Sequence, residues 1–95
     1  MYVRVVRFTG VSAERLEGLL ARIKDAGGPP SGAPPMGLTV LHDEAQATAV
    51  VLQHFKTAED LAAAERVMSA MDASETPGTR ASVDACELKL ELDAM

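Results

Sequence analysis

The stretch Ala47–Phe55 is apolar in both of the phases that an extended chain offers. Successive side chains of a strand point to opposite faces, so Ala49, Val51, Gln53 and Phe55 share one side and Val50, Leu52 and His54 the other. A strand mainly apolar on both sides needs cover above and below, which constrains a short chain severely. The polar connection Asp43-Glu44-Ala45-Gln46 precedes it, and Met36 to His42 reads as a partner strand at hairpin distance. Downstream, Thr57 is placed as a helix N-cap, with Asp60 where a carboxylate meets the free amides and the positive end of the helix dipole. Leu61, Ala64, Met68 and Met71 form the apolar stripe of that helix, with Val67 at its edge, and Pro77-Gly78 marks the turn beyond it.

Upstream, Tyr2 to Phe8 is rich in strand formers, with Arg4 and Arg7 among them. Ser12 is placed to cap a first helix, and Val11 and Leu16 have the spacing of a hydrophobic staple. Leu16, Leu19, Leu20 and Ile23 make its stripe, and Gly27-Gly28 ends it. The run 27–35, GGPPSGAPP, reads as a surface loop or a lid over a cleft. A fourth strand is expected from near Ala81. Its apolar phase changes at Ala85–Cys86, from Val83 and Ala85 to Cys86, Leu88, Leu90 and Leu92. Either a bulge there or a strand leaving its own sheet to pack on a partner accounts for the change.

The predicted order is βαββαβ, an α+β ferredoxin-like domain with a four-stranded antiparallel sheet and two helices on one face. All of residues 1–95 belong to one domain. The second sheet face is then bare and too apolar for water, and a homodimer joined through sheet faces is the simplest way to bury it. Composition points the same way. Aromatics are 3% of the chain, only Tyr2, Phe8 and Phe55, so Ala, Val and Leu must fill the interior, and a small aliphatic domain gains by sharing surface with a second copy.

A net charge of −5 with scattered basic residues disfavours nucleic-acid binding. No apolar run is long enough to span a membrane, and the N-terminus lacks the pattern of a signal peptide. The single cysteine, Cys86, excludes an internal disulfide, fits a reducing cytoplasmic setting and is expected as a buried thiol.

Gly37-Leu38-Thr39-Val40-Leu41, the turn, and Phe55-Lys56-Thr57-Ala58-Glu59-Asp60-Leu61 resemble the dimeric α/β-barrel superfamily, and within it antibiotic-biosynthesis-monooxygenase-like domains. The opening Val3-Arg4-Val5-Val6-Arg7-Phe8 is also similar to small members of that group. The resemblance implies a dimeric α/β barrel with a cavity between sheet and helices. Haem-degrading members carry tryptophan where Phe55 stands, histidine where Glu65 stands, and asparagine near Arg7. Quinone-forming monooxygenases of the group also rely on asparagine and tryptophan. This chain has neither residue type, which weighs against carrying over either activity.

By the superfamily's usual facing, Arg7, Gln53 and Phe55 would line one cavity, the arginine drawing an anionic or enolate oxygen and the phenyl ring stacking on a planar ligand. His54 and Arg7 are the candidate catalytic pair, His54 as a general base. His42 reads as a solvated turn residue. If it pairs with Ala47, it stands roughly 24 Å from His54, so no metal site is expected within a subunit, and no cofactor is implied. Three functions remain: a homodimeric binder of a small, partly apolar or aromatic metabolite; a cofactor-independent monooxygenase or cyclase acting on an aromatic polyketide-like substrate; and a structural dimer with no cavity.

Overall fold

The computed structural model describes residues 1–26, 36–68 and 77–92. Along them run β1 (Tyr2–Thr9), α1 (Ala13–Ala26), β2 (Gly37–Asp43), β3 (Thr48–Phe55), α2 (Ala58–Met68) and β4 (Thr79–Glu87). The strands form one antiparallel sheet in the order β2-β3-β1-β4. This is the ferredoxin-like α+β arrangement. The two strands apolar on both sides, β1 and β3, take the centre, where neither is exposed along an edge. The run 27–35 and the Met71 end of the second helical stripe lie outside the described residues.

Register decides what each face carries. β1 and β3 pair Tyr2 with Phe55, Arg4 with Gln53, Val6 with Val51 and Phe8 with Ala49, and these alternate residues face the helices. Val6, Phe8, Ala49 and Val51 pack with Val11 and Leu16 into one apolar cluster, with Leu19 and Leu20 against it. Phe55, Leu61 and Ala64 form a second, with Tyr2 and Met36 against it. Arg4 and Gln53 lie between them in strand order, both buried. The interior is thus two oily clusters flanking a polar pair.

Local chemistry sets the element ends. The Arg15 amide donates to Ser12 Oγ at 3.2 Å, and Val11 and Leu16 are both buried in the first cluster, so cap and staple form as read from the sequence. The Asp60 amide donates to Thr57 Oγ1 at 3.1 Å and caps α2. In the β2–β3 connection, Asp43 accepts from the backbone and side-chain nitrogens of Gln46 at 3.2 and 2.6 Å. Ala47 adopts φ 53°, a left-handed conformation that costs a residue with a Cβ about 1–2 kcal/mol. Its carbonyl accepts the Val11 amide at 2.8 Å, tying this turn to the start of α1.

β4 corrects two expectations. It begins at Thr79 rather than near Ala81, and no bulge falls at Ala85–Cys86. The register shift lies between Arg7 and Phe8, which pair with Ser82 and Arg80, leaving Ala81 as the extra residue. The change of apolar phase is a change of face. Val83 and Ala85 are on the helix side, opposite Val6 and Arg4, whereas Cys86 is on the other side, opposite Val3. In an extended chain Leu88, Leu90 and Leu92 continue the Cys86 phase, and all three are exposed.

Gly78 brings the chain into β4 against the end of β1. A Cβ there would clash with the Thr9 carbonyl oxygen and lie 3.0 Å from Val11 Cγ2. Backbone cannot swing aside as a side chain can, so Gly78→Ala is expected to destabilise the fold by about 2 kcal/mol. For a domain of this size that lowers the melting temperature by roughly 10 °C in a thermal melt. An unchanged melting temperature would show that this approach is not tight.

The opposite sheet face has no helix on it among the described residues. Val3 and Val5 of β1 and Val50 and Leu52 of β3 are only half-buried there, and Leu41 of β2 is 51% exposed. Cys86 shares this face and is exposed, not buried as expected, because β4 is an edge strand and nothing in the described chain lies over it.

Candidate functional site

Where β3 runs into α2, an open cleft of about 390 Å³ lies between the ends of the sheet and the helix. Met1, Met36 and Phe55 supply apolar walls, and His54, Lys56 and Asp60 supply polar ones. Phe55 is 1% exposed and belongs to the second core cluster, so it is at once the cleft's wall and part of the interior. His54 stands on β3 opposite Gly37. A side chain at position 37 would begin 3.4 Å from the His54 Cβ, so the glycine gives the imidazole its space. His54 Nε2 and Thr39 Oγ1 are hydrogen-bonded at 3.1 Å, which holds the ring, the donor being set by the histidine tautomer.

Only some of the candidate residues are brought together. His54 and Phe55 both line the cleft; Gln53, two residues from Phe55 on the same strand face, does not line it. Arg7 does not join them. It pairs with Val50 and Ser82 and is exposed on the bare face, because the residues either side of it, Val6 and Phe8, are the ones buried under the helices. A cavity lined jointly by Arg7, Gln53 and Phe55 is therefore not formed. Arg7 and His54 share the bare face, but four strand positions separate Val50 from His54, roughly 14 Å. His42 pairs with Ala49, not Ala47, and falls on the face opposite His54.

The arginine that faces the helices is Arg4. It is 5% exposed, and its Nη1 donates to Gln53 Oε1 at 2.9 Å. Its Nε is buried without a hydrogen-bond partner. Burial pushes the guanidinium pKa below the ordinary arginine value; the carboxylate of Glu65 on α2 opposes that shift, and the positive charge of Arg80 adds to it. The signal for Arg4 was present in the sequence, since it is in phase with Tyr2, Val6 and Phe8, the strand formers of β1 that go under the helices.

No family model matches the sequence, and no curated protein matches it. Among solved structures, a protein of Deinococcus radiodurans named as a candidate antibiotic biosynthesis monooxygenase is similar in three dimensions. The TM-score is 0.63 and the identity 20%, over 100% of this chain and 99% of that one. The likeness runs the whole length, and the two chains share the ferredoxin-like fold. No helix among the described residues is long and apolar enough to cross a membrane.

Proposed function

We propose that the protein is a homodimer whose subunits each bind a small, partly apolar or aromatic molecule at the Phe55 end of the sheet, in a reducing cytosol where Cys86 stays a thiol. The observation that carries the binding reading is the 390 Å³ cleft, which joins methionine and phenylalanine walls to a histidine, a lysine and an aspartate. That mixture suits a ligand with one oily and one polar end. The dimer reading is supported by the bare face of Val3, Val5, Leu41, Val50 and Leu52, and by Leu88, Leu90 and Leu92, which continue its phase beyond β4.

A thermal-shift screen of quinones, phenolic acids and haem tests the binding reading. A ligand at a hundred times its Kd stabilises a one-site protein by about 2.7 kcal/mol, a shift of several degrees or more here. One class is expected to produce it, and Lys56→Ala or His54→Ala to diminish it. A flat response across all classes removes the proposal. The hydrogen bond between Thr39 Oγ1 and His54 Nε2, which orients the imidazole, favours one further reading, a cofactor-independent monooxygenase or cyclase with His54 as proton acceptor. Oxygen uptake with a dihydroxy-aromatic substrate would then disappear in His54→Ala and persist in Arg7→Ala, given the separation of the two residues.

A further inference from the structure

Arg4 is an expensive residue in its place. Withdrawing a guanidinium from water costs several kcal/mol, which proteins ordinarily offset with a carboxylate and a full set of acceptors. Here one nitrogen bonds to a neutral amide oxygen, Nε has no partner, and no carboxylate forms an ion pair with the group among the described residues. Glu65 acts on it only through its field. A strut between two apolar clusters would be served better by a methionine or leucine. A planar, always-charged fork with a nitrogen unsatisfied is instead the usual receptor for a carboxylate.

Position adds to this. Gln53 and Phe55 alternate along one face of β3, so the Arg4–Gln53 pair lies roughly 7 Å further along the sheet than the phenyl ring that walls the cleft. Neither Arg4 nor Gln53 is among the residues that line the cleft, and the step from its Phe55 wall to them is within the length of a small metabolite. We propose that Arg4, held by Gln53, is an anion receptor, and that the ligand is a small aromatic or apolar carboxylate whose charged group meets the guanidinium while its body lies against Phe55 and Met36. This rests on the binding reading above and adds the chemical class of the ligand.

The test compares 4-isopropylbenzoate with 4-isopropylbenzyl alcohol, two molecules of nearly the same shape, one an anion at pH 7.5. Each is titrated into the full chain by thermal shift and calorimetry. The wild-type protein is expected to bind the carboxylate at least tenfold more tightly. Arg4→Gln is expected to bring the ratio to about one, and Arg4→Lys to leave an intermediate value, since an ammonium keeps the charge but not the fork. Circular dichroism reports whether each variant folds, and the wild-type ratio decides the matter if one does not. Equal binding of the two molecules by the wild type, or a ratio unchanged in folded Arg4→Gln, overturns the anion receptor and leaves the binding reading standing. No binding of either, together with a flat ligand screen, overturns both.

Discussion

Leu52→Arg is expected to turn a dimer into a monomer. Leu52 sits at the middle of β3 on the bare sheet face, directly opposite Val5 and Thr39. In a two-fold assembly every substitution enters the interface twice, so two unpaired guanidinium groups would have to leave water together. Each costs several kcal/mol, and a rise of at least about a thousandfold in the dimer dissociation constant follows. Leu52 is only half-buried within one subunit, so the variant subunit should keep its secondary structure. Sedimentation velocity at micromolar concentration separates the outcomes. A wild type that already sediments as a stable monomer, or a variant that stays dimeric, would show that this face is not where two copies meet.

The second large effect concerns the polar pair inside. Arg4→Met combined with Gln53→Leu replaces both partners with apolar groups of similar reach, so neither is left stranded. Substitutions of this kind at buried charged groups often stabilise by about 1–4 kcal/mol. In a domain of this size that raises the melting temperature by roughly 5–20 °C. The same variant should lose its preference for carboxylates. A gain in stability with a loss of recognition identifies a group retained for binding at the expense of the fold. A fall in melting temperature identifies a structural pair instead. Thermal and urea melts on the double variant, beside the benzoate titration, tell these apart.

Much of the fold was legible because its signals are local. Ser12 and Thr57 cap the helices, Val11 and Leu16 staple the first, and the two-sided apolarity of β1 and β3 marks the central strands. The site was less legible because it depends on parity. A displacement of one residue along β1 exchanges Arg4 for a neighbour on the other face, and Arg7, three residues on, falls on that other face opposite Val50 rather than beside Gln53. The phase of Gln53 and Phe55 was legible because β3 has Ala49 and Val51 in the same phase to fix it. The cleft itself could not be read from spacing. It arises where Met1 and Met36, far apart in the chain, meet the end of β3.

The division of the interior bears on how the molecule breathes. Apolar packing propagates cooperativity, and a hydrated or poorly paired seam interrupts it. The Phe55, Leu61 and Ala64 side can loosen as its own unit while Val6, Phe8, Leu16 and Val51 stay locked, so amide exchange in α2 should run ahead of exchange in the middle of β1. Occupying the guanidinium would close that seam and make the two halves open as one.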